Sequence, residues 1–195
     1  MGEAYRKIFW GILILTFHIN LGPFQILPNF VGYFLMASAG AMLFDRYGFI
    51  LFQKAKHIAG ALGVLSLVES LFFFMGGSVF APFSSFGPLL FGVLELLFFY
   101  HVLGGYALSL EMNGDKEERE QKLRLQRSVT VLLAIQAGLY FVFSVLYLTS
   151  IMAFVLIFSI LVRLYLMSIF AQLRREEDGR SLEEHSTGSE SADTN

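Results

Sequence analysis

Apolar residues in this chain gather into long blocks separated by short polar breaks, instead of recurring every three or four positions as on a half-buried helix. A block of about twenty such residues crosses the roughly 30 Å hydrocarbon core of a bilayer at a rise of about 1.5 Å per residue. On that measure the pattern predicts helices at Tyr5–Leu21, Pro28–Phe44, Lys56–Met75, Pro88–Glu111, Ser128–Thr149 and Ile151–Leu173. Paired in order, they make an all-α polytopic transmembrane bundle of six helices in three hairpins over residues 1–173.

The first block poses a question of its own. Ile8 to Phe44 is one apolar run interrupted by "HINLGPFQILPNFVGY", His18 to Tyr33. As helix the run spans about 55 Å, close to the about 60 Å that two crossings need, so the chain must reverse near its middle. Asn20 and Gly22 suit a helix end and Pro28 a helix start. Two arrangements meet these terms: a turn at the outer face between two short helices, or a re-entrant loop at membrane depth. A cleaved signal peptide fits less well, because the run after Arg6 and Lys7 exceeds the usual roughly 7–15 apolar residues and contains two prolines before "ASA" at Ala37–Ala39.

Between the blocks, "DRYGFILFQKAK" (Asp45–Lys56) mixes apolar and basic residues and is expected in the interface, as is Trp10. Gly114–Arg127 is a charged stretch with Glu118/Lys122 and Glu120/Arg124 at i,i+4, a solvated helix leading into the fifth span. Residues 174–195 carry three basic and seven acidic residues and no apolar stripe, which predicts a disordered acidic tail.

Charge orients the bundle. Thirteen of the 14 Lys and Arg residues fall at the N-terminus, in two alternate connections and at the C-terminus, while the other three turns hold no charge of either sign. Basic residues favour cytoplasmic loops, so both termini are expected in the cytoplasm. The composition agrees, at 55% hydrophobic and 15% charged with a mean hydropathy of +0.62. No cysteine is present, which excludes disulfides, thiolate metal sites, a thiol nucleophile and S-acylation.

Ionisable groups within spans are costly and therefore candidates for function. They are Glu69 in the third helix, Glu95 and His101 in the fourth and Arg163 in the sixth, with His18 beside the first turn. By residue count Glu69, Glu95 and Arg163 lie about 9, 10 and 18 Å below the outer edge, and the lean of side chains towards a helix N-terminus narrows the gap. A Glu69–Glu95–Arg163 cluster is expected, either a charge pair that fixes packing or a proton-linked site. His101, about 120° from Glu95, is expected to pack inertly beside Gly104 and Gly105. His18 and Asn20 can cap or bridge the first turn, and neither has a partner at metal-ligand spacing. Ala37/Ala41 and Ala59/Gly63 have the spacing of close helix contacts.

Motifs for zinc hydrolysis (HExxH), serine hydrolysis (GxSxG), phosphate cradling (GxxxxGK[ST]) and redox chemistry (CxxC) are absent, no cofactor or metal is implied, and nothing supports nucleic-acid binding. The segment "INLGPFQILPNFVGYFLM", Ile19–Met36, resembles a group of small bacterial multi-pass membrane proteins in which an Asn-containing stretch and a Leu-Pro-[Asp/Asn]-x-x-Gly-Tyr run join the first two spans. The resemblance implies a bacterial inner (plasma) membrane and no particular activity. The even spacing of Asn20, Phe24, Pro28 and Gly32 sets the chain apart from VanZ-type membrane proteins. The expected function is non-enzymatic: binding or regulating another membrane or envelope component, with the bilayer, a membrane protein or a second copy as partner. The alternative is a small oligomeric transporter or channel using the Glu/Glu/Arg level; an enzyme acting on lipid stands third.

Overall fold

The computed structural model describes the backbone of residues 2–17, 20–21, 24–25, 28–75, 86–112, 116–146 and 152–190, and side chains within 2–17, 28–72, 75, 87–111, 117–142 and 154–179. Six helices follow in order: α1 (Glu3–Thr16), α2 (Asn29–Tyr47), α3 (Ile50–Phe74), α4 (Phe86–Met112), α5 (Lys116–Leu146) and α6 (Met152–Glu190). Between α1 and α2, the two-residue strands β1 (Asn20–Leu21) and β2 (Phe24–Gln25) pair antiparallel, Asn20 opposite Gln25. Each helix packs on its neighbours in sequence and α6 returns to α1, so the bundle closes into a ring. One end, with Gly2, Gly48 and Lys116, gathers the charges; the opposite end holds the β1/β2 turn.

Among the described residues, four helices are long and apolar enough to cross a membrane: Ile50–Phe72, Gly87–Glu111, Glu117–Val142 and Phe154–Gly179. The first hairpin is shorter. At 14 residues, α1 reaches about 21 Å, below the roughly 30 Å core. In α2 the 19 residues include Asn29, Asp45 and Arg46, which dilute its hydropathy. Two contacts register this hairpin against the long helices. The Phe34 ring sits where a Cβ on Gly63 would be, and Tyr33 bonds Glu95. Phe34 is five residues from the start of α2 but Gly63 is eleven from the end of α3. Counted at about 1.5 Å per residue, the hairpin stops about 9 Å short of the end of α3, and the Tyr33–Glu95 contact places it about 7–8 Å below the start of α4. The chain therefore does reverse in a helical hairpin, but with its tip recessed below the ends of the long helices.

Local sequence explains the joints. Pro28 caps α2 with extended backbone (φ −64°, ψ 138°). Gly48 ends α2 at φ +70°, a left-handed conformation that glycine adopts without a Cβ clash, and its N–H donates to Phe44 O at 2.8 Å. Only Gly48 and Phe49 separate α2 from α3, so Asp45–Lys56, expected as an interfacial connection, is mostly helix. Rings of Tyr47, Phe49 and Phe52 stack over this turn.

The core runs along the ring interior through Ile8, Ile12, Met36, Phe98, Leu166 and Phe170, all nearly inaccessible. Outward, Val64, Leu71, Val131, Ile135, Leu156 and Leu161 are exposed, as expected of helices that face hydrocarbon. Ala59 and Gly63 lie buried at helix contacts, whereas Ala37 and Ala41 are only half-buried.

The largest departure from the sequence-based expectation concerns the tail. In place of disorder from Arg174, α6 continues unbroken to Glu190, and Glu177 is only 3% exposed. The span and the start of the tail are one helix because its acidic turn has partners waiting at the charged end.

α1 and α2 approach closely at Gly11 and Gly32, where a Cβ on either would come within 2.8 Å of the other's carbonyl oxygen. Gly32→Ala is expected to destabilise by about 1–3 kcal/mol, the usual cost of overpacking. Gly138→Ala, at an exposed helix position with nothing within 4 Å of the added methyl, is expected to stabilise slightly. Thermal unfolding in detergent reads both, and a Gly32→Ala protein as stable as wild type would sink the assignment.

Candidate functional site

Among the described residues, two polar centres tie together helices that are not neighbours in sequence. The deeper joins α2, α4 and α6, three alternate members of the ring. Arg163 Nη2 on α6 donates to both carboxylate oxygens of Glu95 on α4, at 3.2 Å each. The Tyr33 hydroxyl from α2 donates to Glu95 Oε1 at 2.6 Å, and the Tyr33 ring stacks on Phe91 one turn before Glu95. The Glu95 and Arg163 side chains are 10% and 19% exposed, so most of their stabilisation comes from each other. One carboxylate meets one guanidinium and one neutral donor, and the centre is charge-balanced.

Of the three residues expected to meet, Glu95 and Arg163 do. Glu69 is half-buried on α3 with interactions of its own. The third place at the ion pair belongs to Tyr33, which hydropathy could not flag because a tyrosine costs little in an apolar block. Its signal was the hydroxyl one turn into the second helix. Neutral polar bonds also join the helices: Gln136 Nε2 on α5 donates to Ser159 Oγ on α6 at 3.0 Å, one turn from Arg163, and nearer the charged end Gln126 Nε2 on α5 donates to Tyr100 O on α4 at 2.9 Å. Such interhelical bonds substitute for the water that hydrocarbon lacks.

His101 Nδ1 lies 2.6 Å from Leu97 O within its own helix, so the ring donates there and is edge-on to Tyr100. The glycines beside it serve other contacts: Gly105 lies under Phe52, and Gly104 under Gln126. Asn20 pairs through β1 with Gln25, and His18 lies outside the described residues. Among the described residues no three His, Asp or Glu side chains group as metal ligands.

The second centre, at the charged end, was not foreseen. Glu176, Glu177 and Asp178 are consecutive on α6 and point in three different directions, each to partners of its own. Glu176 accepts from Lys122 Nζ on α5 at 2.8 Å and from Tyr106 on α4 at 3.0 Å. Glu177 accepts from Tyr47 at 2.8 Å and pairs with Arg46 at 3.4 Å, both on α2. Asp178 accepts from the Gly2 backbone N–H at 2.8 Å. A small cavity of about 210 Å³ opens beside Glu177, lined by Glu3, Tyr5, Met42 and Arg46 among others.

A larger groove of about 800 Å³ runs along the outside of α2 and α3, lined by Phe34, Ala37, Ser38, Ala41, Lys56, His57, Gly60, Ala61, Val64 and Leu65. Here the small residues of α2 line an open face instead of a closed helix contact. The fold and these centres define the chain as a helical membrane bundle with paired intramembrane charges. Comparison with protein-family models, curated proteins and solved structures finds no match.

Removing one partner of a buried pair leaves the other uncompensated, so Arg163→Met is expected to destabilise by about 3–5 kcal/mol. The double variant Glu95→Gln, Arg163→Met should regain most of that loss, and Tyr33→Phe should cost about 1.5–3 kcal/mol for a bond to a charged group. Unfolding in detergent measures all three; a double variant no better than Arg163→Met would contradict the pairing. Truncation tests the second centre. Ending the chain after Leu173 removes every contact of Glu176–Asp178 and should sharply lower the yield of folded protein. Ending it after Gly179 retains them and should not, and equal yields from the two would count against the network.

Proposed function

We propose that this chain is a bacterial inner-membrane protein, with both termini cytoplasmic, that acts without catalysis by binding or regulating another membrane or envelope component. The carrying observation is the contrast between its deep charges and its groove. Glu95 and Arg163 are consumed by each other and by Tyr33, while the groove on α2 and α3 is open sideways, where a bilayer component would meet it. Orientation follows from the basic residues, which favour the cytoplasmic side and gather at the charged end. The resemblance in Ile19–Met36 supports the bacterial assignment.

A second reading, a small oligomeric transporter or channel, is favoured by the recessed hairpin tip, which sets the Tyr33–Glu95–Arg163 level below the ends of α3 and α4. Water access separates the two. With no native cysteine, Ser159→Cys places the only thiol one turn from Arg163 with little change in volume. Gly92 would be a poorer position, since its Cβ would come within 3.0 Å of Ala137 on α5. A membrane-impermeant maleimide added to intact cells is expected to leave Ser159→Cys unlabelled while labelling the control Met75→Cys, 82% exposed at the end of α3. Labelling at Ser159 would make transport the leading reading. For the binding reading itself, a photo-crosslinking residue at Ala61 in the groove is expected to capture a discrete membrane component; no adduct at all would remove its basis.

A further inference from the structure

We propose that the groove between α2 and α3 seats an anionic phospholipid of the inner leaflet, its phosphate held by Lys56 and His57 and one acyl chain lying over Gly60 and Ala61. This rests on the binding reading above and names its ligand.

Length is the first argument. Counting about 30 Å back from Phe74 along α3, the hydrocarbon boundary falls near Ala55 and the midplane near Val64 or Leu65. The groove runs from Lys56 to Leu65, about 14 Å, which is one leaflet. Its far end is shut, because the Phe34 ring packs on Gly63 with its nearest atom 2.8 Å from where a Cβ would sit. A crossing helix would need a seat of twice that length, whereas an acyl chain fits one leaflet.

Shape is the second. Gly60 has no atom within 4 Å of its Cβ position, so the groove floor is open space there. Below it Gly40 packs against the backbone of Lys56, bringing the two helices together beneath the headgroup end.

Charge is the third. Arg46, Arg119, Lys122 and Arg174 are each taken by a carboxylate. Lys56 and His57 are exposed at the groove mouth, and among the described residues neither is in an ion pair. Lys7 lies beside them, its Nζ donating to Ser38 Oγ on the groove wall at 3.0 Å and pairing with Glu3 at 3.9 Å. Basic side chains at headgroup depth attract anionic lipid, and here they sit at the end of an acyl-sized channel.

The test compares phosphatidylglycerol with phosphatidylcholine of identical chains, added to the full chain in mild detergent, and reads bound lipid by native mass spectrometry and the shift in unfolding temperature. Wild type is expected to retain phosphatidylglycerol, be stabilised by it and bind phosphatidylcholine at least tenfold more weakly. Gly60→Leu fills the floor with a better helix former. It should unfold without lipid at or above the wild-type temperature and yet lose both the retained lipid and the shift. Lys56→Gln, His57→Gln should erase the preference between the two lipids. Equal binding of both lipids by wild type, or undiminished binding by Gly60→Leu, overturns the proposal. A crosslink from Ala61 to a protein instead of a lipid overturns it too while leaving the binding reading intact. The absence of any adduct there, with no lipid retained, removes both.

Discussion

A guanidinium cannot lie unpaired in hydrocarbon, and Arg163 meets that constraint by drawing together helices that are not neighbours in sequence. Glu95 comes from α4 and Tyr33 from α2, so the pair spans the interior of the ring and not one of its seams. The consequence is rotational: α2, α4 and α6 must each turn one particular face inward. Apolar packing alone, among helices hydrophobic all round, leaves that rotation weakly specified. A desolvated ion pair has almost no tolerance for misplacement, so it selects one arrangement even where its net contribution to stability is small.

A second set of charges fixes the axial positions. Three consecutive acids on α6 bind α5 and α4 through Glu176, α2 through Glu177 and the start of α1 through Asp178. Consecutive residues on a helix point about 100° apart, which lets one turn serve several neighbours at once. With one tie at depth and another at the charged end, α6 acts as the post around which the shorter α1–α2 hairpin is held. That hairpin needs the support, since α1 is too short to cross the core and α2 carries Asn29, Asp45 and Arg46 within its length.

This arrangement also explains where the chain remains open. The groove lies on the outer side of the α2–α3 pair, at Ala37, Ala41, Gly60 and Ala61, where neither tie applies and side chains are too small to fill the space. The two helices converge at each end of it, through Gly40 against Lys56 and Phe34 against Gly63. What remains between is a slot one leaflet deep with basic side chains at its mouth.

The sequence by itself determined the class, the number of helices, the side on which charge collects and two members of the deep cluster. Each of these follows from transfer free energy, which is a property of residues one at a time and can be summed along a chain. It could not find Tyr33, because a hydroxyl that becomes a partner looks no different from one that does not. Nor could it read the acidic tail, where the composition of a disordered segment is also that of a helix turn whose carboxylates find Lys122, Arg46 and Gly2. Glu69 shows the converse, since matched depth and sign did not make it a partner of Arg163 when helix rotation placed Tyr33 there. Rotation, axial register and the recess of the first hairpin depend on pairs of residues far apart in the chain, and only the tertiary structure decides which pairs meet.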